Sequence, residues 1–590
     1  MKTPTFRLLL PLIVAALALL AGKWALAAHL SLFGDEAFYW WESRHLAWAY
    51  SDLPGLTQWM IALSEALFGG SYAGVRALGA LAGMLIPLLM WAIARALDAP
   101  RGVAILAPIG FFLLPLGNGL GLLALPDTWL NLWALACAWL ALRALSSNKW
   151  TDFGALGLAL AAGLATHPRF VVWIAAMLPF LLLSPLGRAW WGNPRFWFAA
   201  LLGLLGLWPT LWFNFAHAYE NLQFQLLDRH PWRFALDGLK FYPEQLFFTF
   251  PSTVALLLGI VYTARKQKDP RWQLLLSLAL SHWLFYALLA PFADRERLTV
   301  HWTLPSYLLL LCLLPCAYMQ WQRRTPALIA CWASLVASFA LLAVLGMGAL
   351  GRDQANAFNS KWLPENFIGW REAAALQRMV EPNLAPGTTI VADNFMLAAQ
   401  LAFELKRPHD IYVLDHDLNA KHGRALQLRI WNRDGRAAAA RARRGTVVLI
   451  AELSASKRDA LPAWISRFCP ALGPLDLVVD FSLVAERKRL AVLRSGTHGC
   501  ALPAIGYVGF SANGLKGWHW RNGAHVTVFE LRGRNAEEQE VLLQRLPPAQ
   551  TSDAFVPAPF SIPLPADIRE VELSARYAQG GVVVIAADRR

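Results

Sequence analysis

The chain has 590 residues, of which 57% are hydrophobic and only 16% are charged, and its formal net charge is +14. Soluble domains are usually nearer a quarter charged. Residues 1–350 hold 38 charged side chains and 22 of the 28 Trp, whereas the shorter stretch 351–590 holds 54 charged side chains. This distribution excludes a single soluble globule, a disordered chain and a fibrous repeat. It predicts a polytopic membrane domain followed by a water-soluble domain.

The basic surplus is shared by both parts, +8 in the first and +6 in the second, and no nucleic-acid-binding signature accompanies it. We therefore expect no nucleic-acid partner. Six Cys are too few for a disulfide scaffold or a CxxC metal cluster. Cys469 and Cys500 are the only two in the second part. They are candidates for a disulfide if that part lies in an oxidising compartment, and otherwise for two buried thiols.

Apolar windows near the ~20 residues needed to cross a bilayer predict 11 membrane spans within residues 1–350. The windows are 7–30, 72–97, 102–126, 128–142, 153–166, 170–187, 196–215, 246–264, 272–290, 298–318 and 326–350. The first window is too long, and is followed by too many others, to be a cleaved signal peptide.

The orientation follows from the distribution of Lys and Arg. A cytoplasmic N-terminus places most basic junctions on the inside, and it places the acids of the remaining loops on the outside. With an odd number of spans, residues 351–590 are then on the outer side, which in a bacterium is the periplasm. The inner basic residues are Arg95, Arg101, Arg143, Lys149, Arg188, Arg195, Arg265, Lys266, Lys268, Arg271, Arg323 and Arg324.

Two predicted outer loops, at about 31–70 and 216–245, are long and rich in aromatic residues beside charges. Long loops in compact domains are often functional. Such segments also suit amphipathic helices that only anchor the protein in the membrane interface.

The soluble part alternates strand-like and helix-like runs up to about residue 504. Strands are predicted at 389–392, 411–414 and 447–451, and helices at 372–381, 396–405 and 455–468. This alternation predicts an α/β domain over 351–504. Later runs such as 526–531 and 582–585 predict a small β-rich subdomain over 505–590.

Three acids stand out on the predicted outer side. Asp35 and Glu36 directly follow the first span, and Asp127 begins the fourth. Carboxylates at the membrane boundary must be hydrated, paired with a cation or functional. Each Asp could also simply cap a helix. Cations at the same boundary can hold a lipid phosphate or can anchor the helices. The His residues lack metal-ligand spacing, so we predict no metal site.

A family resemblance rests on several motifs. Gly34-Asp35-Glu36-Ala-Phe-Tyr, Tyr50-Ser-Asp52-Leu-Pro54 and Val75-Arg76 resemble the start of GT-C superfamily membrane glycosyltransferases. The nearest branch is the bacterial one of the dolichyl-phosphate-mannose–protein mannosyltransferase family, which includes the aminoarabinose transferase. The similarity continues through Leu125-Pro126-Asp127, Gln223-Phe-Gln225-Leu-Leu-Asp-Arg229, His301-Trp302-Thr-Leu-Pro305-Ser-Tyr307 and parts of 361–431.

This resemblance implies an inverting sugar transfer from a polyprenyl-phosphate donor to an acceptor hydroxyl at the outer face of the inner membrane. The acceptor benefits from a carboxylate base, and the lipid-phosphate leaving group needs cations rather than an acid. By resemblance, Asp35 is the candidate base and Asp127 a second catalytic carboxylate. The resemblance requires no cofactor; some superfamily members use a divalent metal, which this sequence does not indicate. Candidate substrate contacts are Glu36, Tyr39, Arg229, Lys240, Arg295, Arg297 and His301.

The main alternative is a membrane transporter or a flippase of envelope lipid precursors. Transporters tend to show paired halves and polar residues near the bilayer midplane, whereas the windows here are nearly free of charge and the halves do not match. Lipid A or another lipopolysaccharide sugar, a protein hydroxyl and an envelope glycan all remain open as acceptors. Besides these, we expect only membrane lipids as partners.

Overall fold

The structure is a computed structural model, and the chain divides into two compact units, 1–349 and 350–590. The structure describes residues 6–228, 232–293, 299–349, 365–380, 387–453, 465, 468–483, 488–496, 504–511, 514–521, 526–548, 558–578 and 582–589.

The first unit is helical wherever it is regular. Its α-helices are α1 Phe6–His29, α2 Gly34–Ser43, α3 Leu56–Phe68, α4 Tyr72–Ala96, α5 Arg101–Ala104, α6 Leu106–Leu113, α7 Pro126–Ser147, α8 Trp150–Thr166, α9 Phe170–Ala175, α10 Leu178–Leu183, α11 Pro185–Trp190, α12 Pro194–Leu204, α13 Trp208–Ala216, α14 Glu220–Gln223, α15 Phe241–Thr249, α16 Pro251–Ala264, α17 Pro270–Leu289, α18 Leu304–Cys312, α19 Leu314–Gln320 and α20 Thr325–Ala349. Short 3₁₀ segments occur at Gly117–Gly119, Leu205–Leu207, Leu236–Lys240, Ala290–Phe292 and Val300–Thr303, with a π-helical segment at Phe224–Asp228.

Local sequence explains several of these helix ends. Ser71 caps α4 by accepting a hydrogen bond from the backbone N–H of Gly74. Pro126 occupies the first position of α7, where its missing N–H costs nothing, and Asn148 ends that helix in a left-handed conformation. Asp127 is therefore held in the first turn of a long apolar helix.

The multi-pass membrane architecture is confirmed, but the predicted number of 11 spans is not. Among the described residues, six helices are long and apolar enough to cross a membrane: Leu9–His29, Tyr72–Ala96, Pro126–Ser147, Pro194–Ala216, Pro270–Phe292 and Thr325–Met347. Two more apolar helix pairs are bent, by 98° after Thr249 and by 45° after Cys312, which makes eight if each pair is one span.

The three remaining windows correspond to shorter helices, namely Arg101–Leu113, Trp150–Thr166 and Phe170–Leu183. A hydropathy window averages composition, so it does not register where a helix stops or bends. Phe250 illustrates this, because its φ of +72° interrupts an apolar run that the sequence presents as continuous.

Two glycines bring backbones together near the start of α7. A Cβ atom on Gly83 of α4 would lie 2.9 Å from the Cα of Gly121, and Gly121 has a φ of +73°. Both facts require glycine, the first by close approach and the second by conformation. The turn that leads into α7 therefore rests directly on the backbone of α4.

The second unit begins with an α/β layer, as predicted. A five-stranded sheet has the order β2-β1-β3-β5-β4, in which β1, β2 and β3 are parallel and β5 and β4 are antiparallel additions. The strands are β1 Thr389–Ala392, β2 Ile411–Val413, β3 Val447–Glu452, β4 Leu475–Leu483 and β5 Lys488–Ser495. The helices are Trp370–Val380, Phe395–Glu404, Asp417–Lys421, Ala425–Ile430, Gly435–Ala442 and Cys469–Leu472, with a 3₁₀ turn at Glu365–Phe367.

Most of the predicted elements of this layer are confirmed within a residue or two, whereas the predicted helix 455–468 lies largely outside the described residues. Cys469 is disulfide-bonded. Its predicted partner, Cys500, lies outside the described residues.

The end of the chain is rich in strands, as the sequence predicts. One antiparallel sheet has the order β10-β7-β6 and the other has the order β12-β11-β8-β9. Buried side chains from both sheets, including Val508, Leu515, Phe529 and Leu573, form one core. The strands are β6 Ala504–Ser511, β7 Gly514–Arg521, β8 Val526–Asn535, β9 Glu540–Leu546, β10 Ala558–Ile562, β11 Ile568–Tyr577 and β12 Val582–Arg589.

Candidate active site

A buried ion pair fixes the first turn of α2. Glu36 and Arg76 are 0% and 1% exposed, and two Arg76 nitrogens, Nε and Nη2, donate to the two Glu36 oxygens at 2.7 and 2.6 Å. Glu36 Oε2 also accepts from the backbone N–H of Phe33 at 3.0 Å, and Oε1 from that of Ala124 at 2.7 Å. Both carboxylate oxygens are therefore occupied by protein donors.

Arg76 is equally well satisfied. Its three remaining N–H groups donate to the backbone carbonyls of Ala27, Leu30 and Ser31 at 2.7 to 3.0 Å. All five donors of the guanidinium group are thus used. The pair joins the end of α1, the start of α2, the start of α4 and the chain just before α7.

This geometry changes the interpretation of Glu36, which the sequence suggested as a substrate contact. A fully buried carboxylate with four protein donors is suited to positioning its neighbours rather than to binding a sugar. The neighbours are Asp35, which is half-buried in the same turn, and Tyr39, one turn later on the same face of α2. The hydrogen bond to Ala124 also brings this turn against the residues that precede Asp127.

Asp127 lies in a cluster with the side chains of Arg169 and His301. Its Oδ1 accepts a hydrogen bond from Arg169 Nη2 at 3.0 Å and lies 3.3 Å from His301 Nε2. The Asp127 side chain is 20% exposed and that of His301 is 36% exposed, so neither side chain is fully enclosed by protein. His301, predicted as a substrate contact, is therefore beside one of the two predicted catalytic acids.

Arg169 is held in place by two neighbours. Its guanidinium group stacks over the ring of Trp302, with 4.6 Å between the guanidinium carbon and the ring centroid. The buried ring of His167 lies 3.2 Å from Arg169 Nε. In the sequence, Arg169 is marked only by its position next to an apolar window, a signal that several other cations share.

The second of the two long predicted loops, 216–245, contacts the same region. Phe241 packs with Tyr286 and Trp302 in one buried cluster. Gln245 of α15 donates to the carbonyl of Val300 at 3.0 Å and accepts from Tyr307 at 2.6 Å. These contacts fix the start of α15 against the segment that carries His301.

Lys240, predicted to bind phosphate, directly precedes α15. Its side chain is 53% exposed and forms an ion pair with Asp237. It is therefore available at the rim of this region rather than buried in it. Arg229, Arg295 and Arg297, the other predicted phosphate contacts, lie outside the described residues.

The motifs that suggested a family meet in space. Glu36 pairs with Arg76, and Asp127 contacts the segment that begins with His301. The carbonyl of Asp52 accepts a hydrogen bond from Gln225 Nε2 at 3.0 Å. Each pair joins segments that are distant in the chain, and all lie at the same end of the helices.

The described residues contain no group of three or more His, Cys, Asp or Glu side chains that could hold a metal ion. The sequence prediction that no metal is required stays a prediction.

Comparison with known proteins agrees with these motifs. Residues 52–213 match the family model described as dolichyl-phosphate-mannose-protein mannosyltransferase. A curated relative, undecaprenyl phosphate-alpha-4-amino-4-deoxy-L-arabinose arabinosyl transferase 2 of Pseudomonas fluorescens (strain Pf0-1), is 28% identical over 295 residues. The match covers 47% of this chain and 51% of the relative. The chain therefore spans about half the length of that relative.

Solved structures of ArnT from Cupriavidus metallidurans share the fold at 13% sequence identity. The apo structure covers 82% of this chain and 99% of its own, with a TM-score of 0.57. The structure bound to undecaprenyl phosphate covers 84% and 100%, with a TM-score of 0.60. The predicted family resemblance is therefore confirmed in residues 52–213 by the family model and supported by the curated relative, and over most of the chain the fold is that of the ArnT structures.

Proposed function

We propose that the protein transfers a sugar from a polyprenyl-phosphate-linked donor to an acceptor hydroxyl. One observation supports this proposal. The segments that carry Asp35, Asp127, Arg169 and His301 lie together at one end of the membrane helices. A lipid-linked donor needs its reacting group at the membrane boundary. A site there with carboxylates and cations supplies both a base and a phosphate-binding surface.

Asp35 is the proposed base. Asp127 is engaged by Arg169 and His301, so its oxygen is committed to holding those groups or to orienting the acceptor. Asp35 is half-buried at the start of α2, and its position is fixed by the Glu36–Arg76 pair beside it. In the proposed step, the acceptor oxygen attacks the anomeric carbon as Asp35 takes its proton. The bond to the lipid phosphate breaks, and the configuration inverts.

The cations would receive the departing phosphate. Lys240 is exposed at the rim, and Arg169 presents a guanidinium group that is already desolvated on one face by Trp302. Arg229, Arg295 and Arg297 stay candidates for the same role. Because a lipid phosphate is a good leaving group, cations can stabilise its charge without a protonating acid.

The names of similar proteins suggest the donor lipid and one sugar. The curated relative is named for undecaprenyl phosphate and an aminoarabinose group, and one ArnT structure holds undecaprenyl phosphate. We extend the polyprenyl phosphate to this chain. Whether the sugar is a pentose or a hexose, and whether the acceptor is lipid A, a protein or an envelope glycan, is left to experiment.

We further propose that the site faces the periplasm from the inner membrane, with the second unit on that side. At the opposite helix ends lie basic residues such as Arg95, Arg143 and Arg271. Positive side chains favour the cytoplasmic side. The arrangement therefore supports a site on the outer face.

The test is Asp35→Asn, which keeps the size of the side chain and removes its basicity. A deletion strain complemented with this variant should lose the mass shift that the wild-type gene restores in lipid A or envelope glycans. Loss of a general base typically costs 10²–10⁴-fold in rate. Asp98→Asn is the matched control, because Asp98 is 77% exposed at the opposite helix ends and should leave transfer unchanged.

Both variants should purify with wild-type yield and thermal stability. Near-wild-type transfer by Asp35→Asn would remove Asp35 as the base. The absence of any glycan mass shift on deletion of the gene would argue against the transferase itself.

A further inference from the structure

The second unit carries its whole basic surplus in one short segment. Residues 421–444 contain eight Lys or Arg and a single acid, Asp434, whereas the rest of 351–590 contains 22 Lys or Arg and 23 Asp or Glu. A surface that only needs to be solvated does not require such a concentration of positive charge. The segment covers the helices Ala425–Ile430 and Gly435–Ala442 and the turns on either side of the second helix.

A cavity of about 240 Å³ opens within this segment. Two arginines from the end of the helix Gly435–Ala442 line it, and Asn432 adds an amide from the preceding turn. Its lining residues are Tyr412, Asn432, Ala437, Ala440, Arg441 and Arg444.

Tyr412 orients the cationic wall. It is a buried residue of β2, and its hydroxyl oxygen accepts a hydrogen bond from Arg441 Nε at 2.9 Å. The guanidinium group of Arg433 lies over the Tyr412 ring, with 4.7 Å between the guanidinium carbon and the ring centroid. With Nε bound to tyrosine, the terminal N–H groups of Arg441 are left to donate elsewhere.

Neither arginine of the cavity is neutralised by the described part of the chain. The one acid of the segment, Asp434, pairs with Arg436 at 3.1 Å and accepts from the backbone N–H of Ala437. Arg441 and Arg444 form no ion pair with any described residue. Cations at a helix C-terminus stabilise the helix dipole, but that role needs no cavity and no tyrosine to orient the side chain.

We propose that this cavity binds a phosphate group. Arginine forks match phosphate oxygens and form charge-assisted hydrogen bonds with them. The cavity is smaller than those that hold drug-sized ligands, which run from about 300 Å³ upward, and so suits a small anionic group. The group belongs either to a lipid headgroup or to a soluble phosphorylated compound. The inference does not rest on the proposed sugar transfer.

The experiment titrates inorganic pyrophosphate into the purified full-length protein in nanodiscs of phosphatidylcholine alone. The double variant Arg441→Ala/Arg444→Ala should weaken binding at least tenfold, since each arginine supplies charge-assisted hydrogen bonds to the anion. The matched control is Arg429→Ala/Arg443→Ala, which removes the same charge from the same segment. Both control residues are exposed, and neither lines the cavity.

An equal loss in the two double variants would overturn the proposal, because binding would then reflect net charge and not the cavity. Undetectable pyrophosphate binding by the wild type would overturn it too. Equal displacement of pyrophosphate by citrate would show a general anion site and contradict the assignment to phosphate. Tyr412→Phe removes only the hydroxyl that orients Arg441 and should give an intermediate loss in a folded protein.

A second set of nanodiscs, containing phosphatidic acid, distinguishes the two sources. If a lipid headgroup occupies the cavity, pyrophosphate binding should weaken in these discs and only for proteins with Arg441 and Arg444 intact. If binding is unchanged by the lipid, the phosphate belongs to a soluble compound. Sugar transfer is not measured in any of these steps, so the proposed function can fail without affecting the result.

Discussion

Glu36 and Ala124 are joined by a 2.7 Å hydrogen bond across 88 residues of sequence. The backbone N–H of Ala124 donates to the same carboxylate that receives Arg76. The Glu36 side chain thereby sets the position of both predicted catalytic acids. Asp35 directly precedes Glu36, and Asp127 lies three residues after Ala124.

Glu36→Ala should therefore strongly destabilise the first unit. Removing one partner of a buried ion pair typically costs 3–5 kcal/mol, since the other charge remains buried without compensation. Glu36→Gln keeps the shape and should give a smaller loss of thermal stability in detergent. Asp98→Asn is the control, because Asp98 is 77% exposed and an ion pair so open to solvent, here with Arg271, contributes only ~0–1 kcal/mol. A Glu36→Ala protein as stable as Asp98→Asn would contradict the positioning role.

Arg169→Lys should lower transfer roughly 10–100-fold with little effect on folding. Lysine keeps the charge but loses the planar group that lies on Trp302 while donating to Asp127. The range corresponds to the loss of one charge-assisted hydrogen bond.

The chain offers a close control for that substitution. Arg143 lies over Trp139 at 5.1 Å and pairs with Asp152 at 2.8 Å, but at the opposite ends of the membrane helices. Arg143→Lys should leave transfer unchanged in the same glycan mass assay. Equal losses in the two variants would show a general packing effect and not a role at the site.

Asp393 should make the second unit less stable as the pH rises. Burial raises its pKa to about 8, assisted by the nearby charge of Glu452 and opposed by backbone N–H donors. Because the unfolded chain has a value near ~3.9, the folded state holds the extra proton between these limits. The contribution of Asp393 to the free energy of unfolding is therefore complete below about pH 4. It falls by up to ~1.4 kcal/mol per pH unit as the pH rises, and the loss levels off above about pH 8.

Hydrogen exchange of peptides covering β1 and β3, corrected for intrinsic rates, measures this slope in the full-length protein. Asp393→Asn removes the titrating group and should flatten it. A slope that persists in Asp393→Asn would assign the effect to other groups.

Reporter fusions test the orientation. A fusion at about residue 360 should be active for a reporter that works only in the periplasm. A companion fusion in the basic turn at about residue 267 should be active only for a cytoplasmic reporter. The opposite pattern would place the site on the cytoplasmic face and would exclude the proposed reaction at the outer face.

The sequence predicts much of the local structure. Apolar windows, β-branched runs and turn residues are local signals, and the helix Phe395–Glu404 and strands β1, β3, β8 and β12 occur where those signals indicate. The motifs also singled out Asp127 and His301, which prove to be neighbours.

What the sequence could not supply is the set of long-range pairs. Arg76 and Glu36 are 40 residues apart, and Arg169 and Asp127 are 42 apart. In one sequence, a cation that pairs with a catalytic acid looks like any other cation at a membrane boundary. The same limit applies to the helix bend after Thr249, since a change in backbone direction leaves no trace in average hydropathy.

The contact between Gly83 and Gly121 has a consequence for anyone who would redesign this protein for a new acceptor. The turn before α7 packs on the backbone of α4 with no room for a side chain, so adding even one methyl group at either glycine would displace the turn that leads to Asp127. Libraries aimed at acceptor choice should hold these two positions constant. Two residues without any functional group are thus as restrictive for an engineer as the acids they support.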